Sequence, residues 1–193
     1  RTREPLEGSA EWTNCELNLK APYLSIVQQY SDNTKRNIKK AVKNQLQLKR
    51  EDNAAMISFL FKENVSFAKL GIKEKEYENF EKLMLEAFDC EIGRGYVVLK
   101  DEEPVACGFF VEFNGRLTFV KGTSTDEGRN IGAMHFLFDR VIEEFADQNL
   151  VLDFAGSNVD SVAKFYLSFG AESKPIYYLK RNNLPFPLNQ VKK

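Results

Sequence analysis

Leu117-Thr-Phe-Val120 leads into Lys121-Gly-Thr-Ser-Thr-Asp-Glu-Gly-Arg-Asn-Ile-Gly132. An apolar-striped run to Asp147 follows, then Leu150-Val-Leu-Asp-Phe154, then Gly156-Ser-Asn158 ahead of Val162-Ala-Lys-Phe-Tyr166-Leu-Ser-Phe-Gly170. Hydrophobic spacing along residues 117–171 switches between strand and helix periods, which predicts strand, loop, helix, strand, loop, helix. Such an order points helix N-termini and loop amides at a ligand beyond the strand ends. A plain structural crossover, with glycines serving only as turns, fits the same spacing.

Upstream, β-rich runs at 95–99, 104–113 and 116–122 are joined by Lys100-Asp-Glu-Glu103 and by Asn114-Gly115. Asn-Gly between two such runs signals a hairpin, because both residues tolerate the positive φ of a type I′ turn. An antiparallel meander is therefore expected. Before it, Asn53 caps a helix with Met56, Phe59, Leu60 and Val65 inward. A second helix over 73–88 turns Tyr77, Phe80, Leu83, Met84, Ala87 and Phe88 inward, and together the two cover one side of the sheet. After the loop, a helix from about Asn130 to Asp147 carries Ile131, Met134, Phe138, Val141, Ile142 and Phe145 on its inner stripe. A last strand over 175–180 closes the sheet, and the tail with Pro185 and Pro187 is irregular.

Near the start, residues 17–19 read as a short strand and Pro22 opens a helix with Tyr23, Leu24, Ile26, Val27 and Tyr30. Ser31 or Asp32 caps the next helix, where Ile38, Ala41 and Val42 form a narrow stripe among Lys35, Arg36, Lys39, Lys40 and Lys43. That basic cluster is either a solvated outer face or a phosphate-facing surface; Asp32 is the one acid between Ser31 and Arg50.

The 193 residues suffice for one domain with its own core, and a formal net charge of −1 argues against a chain devoted to nucleic acid. Three cysteines, Cys15, Cys90 and Cys107, fall in no metal-ligand spacing and read as reduced buried thiols of an intracellular, cytoplasmic protein. No apolar run approaches a membrane span. The chain opens on Arg1 with a patternless stretch to Glu11, so a fragment, or numbering that skips disordered residues, is expected. One histidine and no Gly-x-x-x-x-Gly-Lys-Ser/Thr run set aside metal sites, Ser-His-Asp hydrolysis and nucleotide hydrolysis.

Taken together, this element order resembles the GNAT superfamily of N-acyltransferases over roughly residues 47–181. Two local matches carry the resemblance: Gly128-Arg-Asn-Ile-Gly132-Ala133 is similar to the family's pyrophosphate loop, and Asn158, Ala163, Tyr166 and Gly170 are similar to its later helix. Met134 departs from the usual second small residue, and Asn158 lies one residue further from the Tyr than usual. A narrower resemblance is to the Fem-type aminoacyltransferases that build peptidoglycan bridges. It rests on Tyr30-Ser-Asp-Asn-Thr-Lys-Arg-Asn-Ile-Lys-Lys-Ala41, Gly132-Ala-Met-His135 and Asp153-Phe-Ala-Gly-Ser157. The resemblance implies an α/β (α+β) GNAT-like fold, a mixed, mostly antiparallel sheet flanked by helices on both faces. Residues 1–46 would be an extension left from, or linked to, a second lobe, 47–181 the acyltransferase domain and 182–193 a tail. Such proteins usually set two lobes side by side and only one fits within this chain, so a homodimer or a missing second lobe is expected.

Acyl transfer to an amine needs a grip on the donor, a neutral nucleophile and a proton for the leaving group. What the resemblance implies is a grip formed by Gly122, Ser124, Gly128, Arg129, Asn130, Ile131, Gly132, Ala133 and Asn158. Amides at a helix N-terminus favour an anion there; an ordinary helix start capped by Thr125 or Asp126 is the alternative. Tyr166 is the candidate general acid, or else a packing aromatic between Phe165 and Phe169. Asp153 stands on a strand covered on both faces, so it deprotonates or orients a partner, or simply sits at the strand's exposed end. His135 is expected at the surface, and Glu112 is a spare base. Acyl-CoA, first acetyl-CoA, is the expected donor, with no metal and with a small-molecule or peptide amine as acceptor. Aminoacyl-tRNA, held by Lys35, Arg36, Lys39, Lys40 and Lys43 for cell-wall peptide synthesis, is the rival donor. A catalytically silent binding or scaffold lobe is the rival from another class.

Overall fold

A computed structural model of the protein describes residues 9–63, 74–156 and 159–179. The elements run β1 (Ala10–Asn18), α1 (Tyr23–Gln28), α2 (Asp32–Lys43), β2 (Gln47–Arg50), α3 (Ala54–Glu63), α4 (Glu74–Asp89), β3 (Gly93–Lys100), β4 (Glu103–Phe113), β5 (Arg116–Ser124), α5 (Asp126–Ile131), α6 (Ala133–Phe145), β6 (Val151–Asp153), α7 (Asp160–Leu167) and β7 (Glu172–Tyr178). They build one seven-stranded sheet in the order β2-β3-β4-β5-β6-β1-β7. Among the described residues, only β5 and β6 pair in parallel. This is the mixed, mostly antiparallel α/β architecture expected.

The meander forms as the turn chemistry requires: Asn114 and Gly115 take φ of 49° and 73° and join β4 directly to β5. Where the short strand over 17–19 was expected, the structure instead has β1, nine residues long, with Leu19 just beyond it. Its register pairs Glu16–Asn18 with β6 and Ala10–Glu16 with β7. The expected separation of residues 1–46 from the following domain is therefore not a separation in the sheet. β1 lies inside it, and Leu17, Ile26, Tyr30 and Ala41 share one core with Leu137, Phe138 and Leu152. Residue alternation explains the length: Cys15 and Leu17 face that core while Asn14 and Glu16 face the other side.

Two cores flank the sheet. On one face α6 buries Phe136, Leu137, Phe138, Val141, Ile142 and Phe145, with α1, α2 and α7 beside it. On the other, Ile57 and Phe61 of α3 and Tyr77, Met84 and Ala87 of α4 pack on Val97, Cys107 and Phe109. The expected inward stripe of α3 is shifted by one position: Asn53 caps the amide of Met56 at 3.0 Å, Ile57 and Phe61 point in, and Phe59 is 58% exposed. Leu83 is likewise exposed rather than inward. Val65 and the proline tail lie outside the described residues. Cys15 and Cys107 are buried thiols as expected, but Cys90 is exposed. Among the described residues, no helix is long and apolar enough to cross a membrane.

The expected single central helix is two. Gly132, at φ 82°, ends α5 and starts α6, since a left-handed residue cannot continue a right-handed helix. α6 also carries a buried acid. Asp139, 1% exposed, accepts from the Tyr23 hydroxyl at 2.8 Å and from Arg140 Nε at 3.1 Å, which fastens α1 to α6. Replacing Asp139 by Ala strips a buried charge-assisted pair and should lower stability by about 2 to 3 kcal/mol, while Tyr23→Phe should cost about 1 kcal/mol. Urea unfolding monitored by circular dichroism checks both.

Candidate active site at the splay between β5 and β6

β6 is too short to accompany β5. Its parallel ladder pairs Arg116 with Val151, Leu117 with Leu152 and Thr118 with Asp153, after which β5 continues alone on that side to Ser124. A bulge lies at the same level. Phe109 pairs with Lys121 and Phe110 with Phe119, so Val120 is an extra residue that bends and twists β5. Meanwhile the amide of Phe154 turns to the Cys15 carbonyl, at 3.0 Å, which draws the end of β6 towards β1. Beyond this level the two strands no longer pair, and the notch this leaves in the ladder is backed by aromatic rings.

Tyr166 stands in that backing. Its ring stacks on Phe154 at 4.5 Å between centroids and lies 6.4 Å from Phe119. Burial, with a smaller push from Cys15, raises its phenol to about 12, so it stays protonated at neutral pH and can act as a proton donor. Asp153 is on the opposite face of β6, because neighbouring residues of a strand alternate. The two residues expected to share the chemistry are thus separated by the sheet.

Asp153 is also fully engaged. Oδ1 accepts from Asn14 Nδ2 and from the amide of Ala155, each at 2.9 Å, and Oδ2 accepts from Arg116 Nη2 at 2.6 Å and Nε at 3.1 Å. Arg116 Nη2 donates also to Glu16 at 2.6 Å. Four donors thus occupy the carboxylate for which a catalytic role was expected. Its present work is to clamp β5, β6 and β1 together where the ladder ends. Glu112 is similarly taken by Arg94, at 2.7 Å.

The loop ahead of Asn130 is closed on itself. Thr125 caps α5, with its hydroxyl accepting from the amide of Gly128 at 2.9 Å and its carbonyl from Arg129 at 2.9 Å. Gly128 is needed for packing: a Cβ there would lie 2.2 Å from the Val105 carbonyl oxygen. Gly132 is pressed against α2, and a Cβ there would lie 2.7 Å from the Asn37 carbonyl oxygen. A carbonyl at that spot also repels a phosphate. Gly122 clears the Phe119 ring, which a Cβ would meet at 2.6 Å. Arg129 donates to the Ser124 carbonyl at 2.5 Å and pairs with Asp126. Ser124 is buried, Asn130 exposed, Ile131 half-buried and Ala133 buried, while Asn158 lies outside the described residues. The expected donor cradle is therefore, in this form, a capped helix start whose Gly128 and Arg129 amides are already bonded.

One residue was not singled out in the sequence, and another departs from expectation. Lys121, on β5 past the end of the β6 ladder, places its ammonium 5.0 Å from the Phe61 ring, 5.3 Å from Tyr77 and 4.9 Å from Phe80. Burial lowers its pKa. Its register beside Phe109 was the available signal, since a lysine opposite a buried phenylalanine must lie under the covering helices. His135, expected at the surface, is half-buried against Phe165 at 4.9 Å, and desolvation pushes it down to about 4.

Around α2 the charges are unbalanced. Arg36, Lys39, Lys40 and Lys43 are exposed and Lys35 is half-buried, donating to the Gln28 carbonyl at 3.2 Å. The helix packs through Ala41, Thr34 and Ile38 and lies against α5 and α6.

The acetyltransferase (GNAT) domain profile matches residues 28–161. The chain belongs to the GNAT acetyltransferase-domain family. No curated protein matches it. Among solved structures, this GNAT chain is similar to FemX, with a TM-score of 0.69 at 10% identity, covering 93% of this chain and 63% of that one. A conserved protein of unknown function from Bacteroides thetaiotaomicron gives 0.61 at 11%, covering 89% and 62%. L-PGS from Bacillus licheniformis gives 0.53 at 12%, covering 96% and 65%. At these identities the likeness is one of fold. The chain spans less than two thirds of the length of these proteins.

The depressed pKa of His135 carries a pH signature. Its folded value, about 4, lies below the ordinary histidine value of 6.5, so the unfolded chain takes up the proton first. The associated stability is complete above about 6.5 and is lost as the pH falls towards about 4, by at most about 3 kcal/mol. Urea unfolding of wild type and His135→Phe between pH 7 and 4.5 should show a smaller loss in the variant.

Proposed function

We propose that this chain is an acyltransferase lobe that takes its acyl group from an oxygen ester on an RNA 3′ end, an aminoacyl ester, and passes it to a primary amine. One observation carries the choice of donor. α2 presses the Asn37 carbonyl against Gly132, where a diphosphate would need bare backbone, and exposes Arg36, Lys39, Lys40 and Lys43, which form no ion pair among the described residues. A helix that crowds a diphosphate yet offers exposed cations suits a polyanion lying across it.

The proton inventory supports the same donor. Attack by the amine on the ester carbonyl forms the new C–N bond, and collapse breaks the bond to the ribose oxygen, which needs a proton. Tyr166, raised to about 12, gives that proton readily to an alkoxide-like oxygen but only uphill to a thiolate, whose parent thiol lies near ~8.5. The proton that the attacking amine gives up passes to solvent, because Lys121 lies across the sheet from Tyr166, beneath Phe61 and Phe80. The ring stack on Phe154 fixes the Tyr166 phenol beside the notch.

A second reading, a lobe that binds without catalysing, is favoured by the closed loop and the committed Asp153. Activity separates them. Tyr166→Phe should lower kcat for transfer from an aminoacylated RNA to a primary amine by about 10² to 10³-fold with little change in KM. If wild type transfers nothing, the binding lobe stands instead.

RNA affinity tests the donor independently. In filter binding at graded salt, replacing Arg36, Lys39, Lys40 and Lys43 by Gln should reduce the slope of log K against log salt by about three units. Acetyl-CoA should leave the melting temperature unchanged. A saturable stabilisation approaching roughly 2.7 kcal/mol at a hundredfold excess over its Kd would return the donor assignment to acyl-CoA.

A further inference from the structure

α7 is eight residues long and carries Tyr166 beside its C-terminal end, so the setting of the phenol depends on what holds that end. A helix this short is placed by tertiary contacts rather than by its own hydrogen bonds. The start of α2 supplies those contacts. Gly170, at φ 82°, lies so close to Gln29 that a Cβ there would be 2.7 Å from the Gln29 Cβ, and the Tyr30 ring meets Phe169 edge-on at 5.3 Å. The Ser31 amide donates to the Ser168 carbonyl at 2.9 Å.

Three hydroxyls cross the same contact. Ser31 Oγ donates to Thr34 Oγ1 at 3.1 Å, Thr34 Oγ1 to Ser168 Oγ at 2.7 Å, and Ser168 Oγ to the Phe165 carbonyl at 2.6 Å. Their direction is forced. A carbonyl only accepts, so Ser168 uses its proton there and is bonded by Thr34, which in turn accepts from Ser31. The Thr34 amide donates to Ser31 Oγ at 3.2 Å, which completes the N-cap of α2. Thr34 is 0% exposed, so water does not compete for these bonds.

The chain of hydroxyls ends on the peptide unit that joins Phe165 to Tyr166. A shift there turns that unit and swings the phenol, which is otherwise placed by its stack on Phe154. Apolar contact is non-directional, whereas a hydrogen bond fixes both distance and angle. We infer that Thr34 is a positioning residue for Tyr166: through Ser168 it fixes the peptide unit ahead of the phenol, and it does so from the helix that exposes Arg36, Lys39, Lys40 and Lys43. The cationic surface and the proton donor are thereby held in one frame. The catalytic consequence rests on the acyltransferase proposal; the hold on Tyr166 stands apart from it.

The test uses the full chain labelled with 3-fluorotyrosine, whose seven tyrosines give seven fluorine resonances, one of them identified by Tyr166→Phe. Thr34→Val lacks the hydroxyl and should move the Tyr166 resonance, while Thr34→Ser, which restores the chain of bonds, should leave it at the wild-type position. In unlabelled protein, Thr34→Val should lower kcat for transfer from an aminoacylated RNA by about tenfold, with KM and the salt slope of RNA binding unchanged, and Thr34→Ser should recover the rate. A hydroxyl of merely structural use would lower stability in urea and move neither the resonance nor kcat. Ser168→Ala, which breaks the chain on α7 and spares the α2 cap, should give the same two effects and decides the matter if Thr34→Val does not fold. A Tyr166 resonance unmoved in the folded variants overturns the inference, as does a moved resonance with wild-type kcat or a loss of rate that Thr34→Ser shares. If the wild type transfers to no amine while the resonance moves, the acyltransferase proposal fails and the hold of Thr34 on Tyr166 survives.

Discussion

Arg116 is the tie on which this arrangement depends. Its guanidinium reaches Asp153 of β6 and Glu16 of β1 from β5, at the level where the parallel ladder stops. Three strands from distant parts of the chain are thereby held at one point, and beyond it they are free to separate. Charge-assisted bonds shared between two carboxylates hold that point better than three rungs of parallel pairing would alone. The Val120 bulge then fixes the direction in which β5 leaves. A notch built this way is a consequence of strand length and one ion-pair network, not of a mobile element.

The N-terminal strand has a larger part than an appendage would. β1 supplies the partner for both β6 and β7, and through Asn14 and Glu16 it supplies two members of the clamp. α2, which follows it, closes on Gly132 and carries the exposed cations. Sheet completion, access to the loop and surface charge are therefore set by the first forty or so residues, although the motifs that identify the family lie downstream. That division of labour is why the Fem-like features at Tyr30–Ala41 and the GNAT features at Gly128–Gly132 belong together physically: they meet at the contact between α2 and the turn from α5 to α6.

Much of the fold is legible in the sequence because its signals are local. Asn114-Gly115 announces a hairpin by its tolerance of positive φ, and the stripe of α6 announces a buried helix. β1 is hidden because the face opposite Cys15 and Leu17 carries Asn14 and Glu16, which look like loop residues although both are buried in the clamp. The break at Gly132 is hidden because Gly, Ala and Met can all continue a helix, and only contact with Asn37 requires the left-handed turn. Site roles are less legible still. Gly128 satisfies a phosphate-loop pattern equally well whether its missing Cβ admits a ligand or, as found, the Val105 backbone. Asp153 looks like a buried base until the partner Arg116, well separated in sequence, is placed beside it. Lys121 gives no motif at all, and its pKa is lowered by burial beneath α3 and α4.

Hydrogen exchange at the amides of Gly128 to Met134, measured with acetyl-CoA and with an aminoacylated RNA hairpin in turn, tests the central claim most directly. If the loop is closed by its own cap and by α2, acetyl-CoA leaves those rates unchanged, and the RNA slows exchange along α2. Marked slowing at Gly128 to Met134 on adding acetyl-CoA, with none on α2 from the RNA, would contradict the account.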